Sequence, residues 1–138
     1  MMIVTLSLVF FLALSITSSA FAERIGIAFV QAPEQGQGVC IGRTPDEAFA
    51  CAEKQCVKSG AAPLDCLRTN WCFPSGWTTD VFLMHNEGVH WHEVTCGWPS
   101  QNAALEAAKI ICDRKERDFI VDCTVVQIYN PDGKPQLN

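Results

Sequence analysis

Apolar and polar positions divide the chain into one long apolar run followed by short segments with periodic patterns. Residues 1–22 are almost wholly apolar, then small and polar, and they end with Ala20 and Ala22 in the spacing that signal peptidase accepts. The sequence therefore predicts a signal peptide over 1–22 and a mature chain, 23–138, that begins at Glu23. The apolar run is shorter than the roughly 20 residues of a membrane span, so no stable membrane anchor is expected after cleavage.

Two later segments repeat apolar residues at helical spacing and carry helix start signals. Thr44 and Glu47 flank Pro45 in the order of a capping box, with the proline in the first turn. Ser100 is placed to cap the second helix. Each helix carries small alanines on one face, which allow a close approach to a sheet. The apolar stripes are Ala48, Phe49, Ala52 and Cys56 in the first helix, and Ala104, Leu105, Ala108, Ile111 and Cys112 in the second.

Six other segments are rich in β-branched and aromatic residues and are bounded by Pro, Gly and Asn, which predicts strands. They cover 25–30, 38–42, 64–71, 81–85, 89–95 and 119–129. The residues Asn86, Glu87 and Gly88 predict a tight hairpin between the fourth and fifth strands. Because no strand-helix-strand unit needs a parallel crossover, the expected fold class is α+β, an antiparallel sheet with two helices on one face.

The helical segments repeat each other when they are aligned on cysteine. In each, two cysteines are separated by 15 residues, and a third follows after nine residues in the first and ten in the second. Agreement in one register indicates duplication, so 23–138 is expected to be one domain of two repeats, about 24–77 and 78–130. The matched positions are Cys40 and Cys96, Thr44 and Ser100, Ala48 and Ala104, Phe49 and Leu105, Ala52 and Ala108, Cys56 and Cys112, and Cys66 and Cys123.

The eight cysteines of this short chain predict four disulfide bonds. Oxidising compartments preserve such bonds and reducing ones do not, so the expected location is the periplasm or outside the cell. Metal or mixed bonding is the alternative, but the sequence has no Cys-x-x-Cys, the close spacing that zinc sites favour. Chain reversal after each helix favours the pairs Cys56 with Cys66 and Cys112 with Cys123.

The other four cysteines leave two pairings open. Cys51 and Cys72 have no cysteine counterparts in the second repeat, which favours a bond between them. Cys40 and Cys96 would then join the two repeats. The rival is a bond between Cys40 and Cys51, which can meet if the strand before the first helix runs antiparallel to that helix.

Charge and motif content exclude several classes of function. The formal net charge of −5 argues against nucleic acid as a partner, because phosphates call for clustered Lys and Arg. The sequence contains no Gly-x-Ser-x-Gly and no His-Glu-x-x-His, and a nucleophilic cysteine would have to be unpaired in a chain with an even number of cysteines. The chain is therefore not expected to be an enzyme, and no catalytic residue is assigned.

The three histidines all fall in one short stretch, at His85, His90 and His92. On a strand His90 and His92 point to the same face, and the hairpin turn brings His85 across from them. Three imidazoles on one side of a hairpin predict a site for zinc, copper or nickel, with Glu87 or Glu93 as an oxygen ligand. The alternatives are an exposed sheet face that holds histidines by chance, or titration in an acidic niche.

Aromatic residues are concentrated in the loop 71–77 between the two repeats. Trp71, Phe73 and Trp77 are the residue types that anchor ligands and partners at interfaces. The alternative is that these rings, with Trp91 and Trp98, pack against disulfides and the core.

The repeat unit resembles a family of small exported bacterial domains of unknown function, which have a β-hairpin, an alanine-rich helix that ends in Cys, and a strand with Cys. The matching positions are Gly26, Ile27, Ala28, Phe29, Thr44, Ala48, Ala52, Cys56 and Cys66, and again Ser100, Ala104, Ala108, Cys112 and Cys123. Cys51, Cys72 and the histidine hairpin depart from the pattern. The resemblance implies a location in the bacterial envelope or outside the cell, and it implies no activity.

The sequence thus predicts a non-enzymatic binding or inhibitor module that engages a protein or a glycan through the 71–77 loop. One alternative is a metal-binding protein that uses the histidine hairpin. Another is a host-directed effector that passes through the periplasm.

Overall fold

The computed structural model describes residues 24–138, which contain six strands and two α-helices. The predicted leader and its cleavage point lie outside the described residues. Neither α-helix in this part of the chain is long and apolar enough to cross a membrane. In chain order the elements are β1 (Gly26–Ala32), β2 (Gly36–Gly42), α1 (Pro45–Lys58), a 3₁₀ helix (Pro63–Asp65), β3 (Leu67–Cys72), β4 (Trp77–His85), β5 (His90–Trp98), α2 (Gln101–Ile111) and β6 (Ile120–Tyr129).

The strands form two antiparallel sheets of three strands each, with the same connectivity. Their orders are β2-β1-β3 and β5-β4-β6, so in each sheet a hairpin leads into a helix and the third strand returns beside the first. The predicted α+β class is confirmed, but two sheets replace the single sheet that was expected. The predicted hairpin turn is also present, because His85 N donates to Val89 O at 2.8 Å and Gly88 adopts a φ of 91°.

Both helices begin at the predicted hydroxyl caps. Thr44 Oγ1 accepts a hydrogen bond from Glu47 N at 3.3 Å, and Ser100 Oγ accepts one from Ala103 N at 3.2 Å. The Glu47 carboxylate reaches back to accept from Arg43 N, one residue before the cap, at 3.0 Å. The caps satisfy backbone donors that have no partner within the first turn of a helix.

Helix α1 packs tightly on its sheet because β2 presents very small residues to it. Gly38 lies so close to the helix that a Cβ atom there would be 1.9 Å from the Ala52 carbonyl oxygen. Gly42 is similarly close to Ala48, where a Cβ atom would be 2.9 Å from the backbone nitrogen. The alanines that were predicted to allow a close approach are therefore matched by glycines in the strand beneath them.

The two helices cover different sheets, and the two sheets contact each other. In β1, Val30 belongs to the core beneath α1, whereas its neighbours Phe29 and Gln31 contact residues of the second sheet. In the second sheet, Leu83 packs in a core cluster with Ala108 of α2. The expectation that both helices lie on one face of one sheet is therefore not confirmed.

Four disulfide bonds join all eight cysteines. Two of them are the pairs expected from chain reversal, Cys56 with Cys66 and Cys112 with Cys123. The first ties α1 to the residue before β3, and the second ties the end of α2 to β6. Four disulfides in so small a domain are typical of proteins outside the cytoplasm.

The other two bonds differ from the pairs that the sequence favoured, and the alternative bond between Cys40 and Cys51 is the one that forms. Cys40 bonds Cys51, and Cys72 bonds Cys96. The expected pairs, Cys51 with Cys72 and Cys40 with Cys96, are wrong because β2 lies against α1 and places Cys40 opposite Cys51 of that helix. Cys72 ends β3, where it meets Cys96 of β5 and links the two sheets.

An ion pair joins β5 to the segment before β6. Arg117 donates from both terminal nitrogens to the Glu93 carboxylate, at 2.6 and 2.9 Å, and Trp91 Nε1 donates to the same group at 2.9 Å. The hydrogen bonds from Arg117 hold the pKa of Glu93 below its usual value of 4.5, against the opposing effect of partial burial. The pair therefore stabilises the fold only while Glu93 is ionised.

Replacing Glu93 by Gln is expected to lower the free energy of unfolding by about 1 kcal/mol near neutral pH, since a bidentate pair of this kind is only partly shielded from solvent. A carboxyl group whose folded-state pKa is lowered stabilises the fold above its unfolded-state pKa, and the contribution is lost as the pH falls through the folded-state pKa. Urea denaturation of both proteins at about pH 7 and about pH 3 measures the difference. Glu106→Gln, which breaks an exposed pair with Lys109, is the control. An equal difference between Glu93→Gln and wild type at both pH values would contradict the assignment.

Candidate functional site

Three aromatic side chains form a partly exposed surface at the end of β3. The Trp71 and Phe73 rings are stacked, with centroids 6.3 Å apart and planes at 17°, and Phe73 is 52% exposed. The Trp71 ring centroid also lies 6.4 Å from that of Phe49 in α1. A Cβ atom at Gly26 would lie 2.1 Å from a Trp71 ring atom, so the indole rests directly on the β1 backbone. We call Phe49, Trp71 and Phe73, together with Arg68 beside them, the ring surface.

Arg68 supplies the charged edge of the ring surface. Its guanidinium lies 5.0 Å from the Phe49 ring centroid, in the geometry of a cation–π contact. It also donates to Glu53 at 2.6 Å and lies 3.8 Å from Asp46. The hydrogen bond to Glu53 raises the pKa of Arg68 further. The surface therefore combines stacked rings with an arginine that is held by carboxylates of α1.

Trp77 does not join the ring surface, although the sequence grouped it with Trp71 and Phe73. It begins β4, opposite Trp98 of β5, and is half-buried. Among the described residues, the aromatic contacts of Trp71 involve Phe49 and Phe73 and do not extend to Trp77. Phe49 and Arg68 contribute to the ring surface instead. The sequence did not indicate either as a site residue, because Phe49 lies in α1 and Arg68 in β3.

The structure separates the three histidines into a pair and a single residue. His90 and His92 share a face of β5, as predicted, and both rings contact Phe82, at 5.4 and 5.8 Å. The His85 ring instead packs 5.3 Å from the ring of Phe119, which is partly buried against the core cluster beneath α2. Within residues 24–138, no group of three or more His, Cys, Asp or Glu side chains is placed to hold a metal ion.

A buried carboxylate holds His92 in one orientation. Asp80 is 0% exposed, and its Oδ1 lies 2.7 Å from His92 Nδ1 while its Oδ2 accepts from Gln37 Nε2 at 3.2 Å. Because a carboxylate only accepts hydrogen bonds, the proton lies on Nδ1 and Nε2 of His92 is left without it when the ring is neutral. Asp80, the one charged residue in β4, was not singled out from the sequence.

The side chain of Gln31 joins the two sheets at the same point. Its Nε2 donates to His92 O at 2.9 Å, and its Oε1 accepts from His92 N at 2.7 Å. Tyr129 packs nearby, edge-to-face with Phe29 at 5.7 Å. Burial, followed by the negative charge of Asp80, raises the pKa of Tyr129 to about 12. The polar groups between the sheets are thus fixed by one another.

A cleft of about 260 Å³ opens next to this network. It lies between the β1–β2 turn and β5, and His90 and His92 form one wall. Glu34 stands opposite, with a carboxylate oxygen 3.6 Å from His90 Nδ1. The other lining residues are Gln31, Ala32, Gln35, Gly36 and Gln37. The cleft therefore presents two imidazoles and a carboxylate to solvent.

The resemblance to small exported bacterial domains stays a prediction. The chain matches no family model, no curated protein and no solved structure.

Proposed function

We propose that the chain is an exported bacterial, non-enzymatic binding or inhibitor module, which engages a partner protein through the ring surface in the periplasm or outside the cell. The observation that carries the proposal is Phe73, which stacks on Trp71 while half of its side chain remains in water. Aromatic rings and Arg are the residue types that dominate binding energy at protein interfaces, and Arg68 stands beside these rings.

Rigidity of the ring surface supports this proposal. Trp71 is held by the β3 ladder and by its contact with Gly26, and the next residue, Cys72, is bonded to Cys96 of the second sheet. Side chains that are already ordered lose less conformational entropy when a partner binds. A small domain with a fixed aromatic surface suits an inhibitor, whose contact residues must hold their geometry.

Two other parts of the proposal rest on chemistry described above. Export is supported by the apolar leader and by four disulfides, which oxidising compartments preserve. An origin by internal duplication is supported by the shared strand order of the two sheets and by the matched caps Thr44 and Ser100. Both units then serve as scaffold, and the ring surface belongs to the first.

Replacing Phe73 by Ala is expected to weaken binding of the partner about 30-fold, because a central aromatic side chain contributes about 2 kcal/mol at an interface. The disulfide-bonded protein, immobilised, is exposed to bacterial envelope extract and separately to host extract. Captured proteins are identified by mass spectrometry, and the affinity of each is then measured with purified components. Capture from host extract alone would favour the effector role over an envelope role.

Leu64→Ala is the matched control, since Leu64 is 93% exposed on the 3₁₀ helix that precedes β3. We expect this variant to bind as the wild type does. Equal affinity of Phe73→Ala and wild type for the recovered protein would exclude the ring surface. Binding to a glycan array that is lost in Phe73→Ala, with no protein captured, would replace the protein partner by a glycan.

A further inference from the structure

The orientation of His92 is fixed before any ligand arrives. Its Nδ1 is held by the buried Asp80 carboxylate, and its backbone is held on both sides by the Gln31 amide. A carboxylate on one imidazole nitrogen sets the tautomer and increases the basicity of the other nitrogen, and metal-binding histidines are commonly held in this way. His92 Nε2 is therefore a prepared electron-pair donor beside the cleft.

His90 supplies a second imidazole on the same wall. Two positions apart on one strand, the two residues have Cα atoms about 7 Å apart and side chains on the same face. His90 is 36% exposed, and Glu34 is its neighbour across the cleft. To share a metal ion with His92, this partly exposed ring must turn from its contact with Phe82, because two nitrogens at about 2 Å from one ion lie about 3 Å apart.

We propose that His92 and His90 chelate one divalent transition-metal ion in this cleft, with copper(II) bound most strongly, and that the Glu34 carboxylate is the third ligand. Imidazole nitrogens suit copper, zinc and nickel, and affinity among divalent ions is highest for copper(II). Asp80 acts as a positioning residue and does not touch the metal. Residues 24–138 contain no preformed cluster of three donors, so this site forms only when the His90 ring turns towards His92.

This site differs from the three-histidine site that the sequence predicted. His85 packs against Phe119, which is partly buried against the core cluster beneath α2, whereas the cleft lies between the two sheets. The proposal is also independent of the ring surface, which is built from other residues. His85→Ala and Phe73→Ala are therefore matched controls for a cleft that uses His90 and His92.

The test is a calorimetric titration of the full disulfide-bonded protein, without a histidine tag, with Cu²⁺ and separately with Zn²⁺. We expect one Cu²⁺ ion per chain, weaker binding of Zn²⁺, and a loss of affinity of about tenfold or more in His90→Ala and in His92→Ala. Asp80→Asn should weaken binding about 10- to 100-fold while leaving both ligands in place. Electron paramagnetic resonance of the copper complex should show two imidazole nitrogens, and one in His90→Ala.

His90→Ala keeps the experiment decisive if His92→Ala or Asp80→Asn loosens the contact between the sheets, because the ionic neighbour of His90 within residues 24–138 is the exposed Glu34. Near-ultraviolet circular dichroism of each variant checks the fold. Wild-type affinity in a folded His90→Ala variant would overturn the proposal. A loss in His85→Ala as large as the loss in His90→Ala would overturn it in favour of the three-histidine site.

Discussion

Gly38→Ala is expected to destabilise the protein by about 3 kcal/mol, the upper part of the usual range for overpacking a tight contact. The new methyl group would lie 1.9 Å from the Ala52 carbonyl oxygen and 2.9 Å from Cys56 N, and both atoms belong to the α1 backbone. A backbone cannot rotate away as a side chain can, so the helix must lift from the sheet. The bond between Cys40 and Cys51 resists that movement.

Urea denaturation under non-reducing conditions measures this loss, and Gly60→Ala separates the steric effect from the general effect of replacing glycine. Gly60 has a φ of 115°, but no atom of residues 24–138 lies within 4 Å of an added Cβ, so this variant should lose about 1 kcal/mol from backbone strain alone. If Gly38→Ala proved no less stable than Gly60→Ala, the close contact between β2 and α1 would be in error.

Replacing both Cys72 and Cys96 by Ser is expected to lower the free energy of unfolding by about 3 kcal/mol. This bond links cysteines 24 residues apart and joins the two sheets, whereas each of the other three bonds closes a separation of 10 or 11 residues. In the loop-entropy account, a longer closed loop removes more conformational freedom from the unfolded chain. The contact between the sheets then depends on the hydrogen bonds of Gln31 and Asp80 and on the packing of Phe29 against Tyr129.

The comparison for this experiment is the double variant Cys40→Ser with Cys51→Ser, which opens a short loop inside the first unit. We expect it to lose about 0.7 kcal/mol less than the Cys72 and Cys96 variant, because the loss scales only with the logarithm of loop length. Denaturation curves of both variants, with the remaining three bonds intact, provide the test. A loss below about 1 kcal/mol for the longer loop would show that the unfolded state is already compact.

Local signals in the sequence predicted the helices well, because the physics of a helix start is short-range. Thr44 and Ser100 cap the two helices as their positions indicated, and Gly88 forms the predicted turn. Pairing between strands depends on residues far apart in the chain, so the division into two sheets could not be predicted from the sequence. Four of the predicted strands were too short, because β1 continues to Ala32, β2 begins at Gly36, β4 begins at Trp77 and β5 ends at Trp98. The predicted third strand was too long, since residues 64 and 65 belong to the 3₁₀ helix.

The predicted disulfide pairs were only partly right. Bonds within a local chain reversal, such as Cys56 with Cys66, follow from sequence order alone. The repeat also suggested that Cys40 and Cys96, which occupy matched positions, bond each other, and this was wrong. Cys40 has a helix partner in Cys51, whereas the matched helix position in the second unit is Ala107, so Cys96 is left to bond outside its own unit.

The candidate sites could be predicted only in part. The proximity of Trp71 and Phe73 in sequence was enough to place them together. Asp80 could not be recognised as the partner of His92, because that contact depends on the register between β4 and β5. Gln31 and Gln37 come from the other sheet, so their role depends on how the sheets meet.

The Gln31 side chain has a consequence for self-association. Strand β5 is an edge strand of its sheet, and an edge strand exposes unpaired N–H and C=O groups to which a second chain can add a strand. At His92 both groups are already bonded by the Gln31 amide, which imitates a neighbouring strand. A second molecule would have to break two hydrogen bonds to extend the sheet there, so this edge is protected against fibril-like growth at high local concentration.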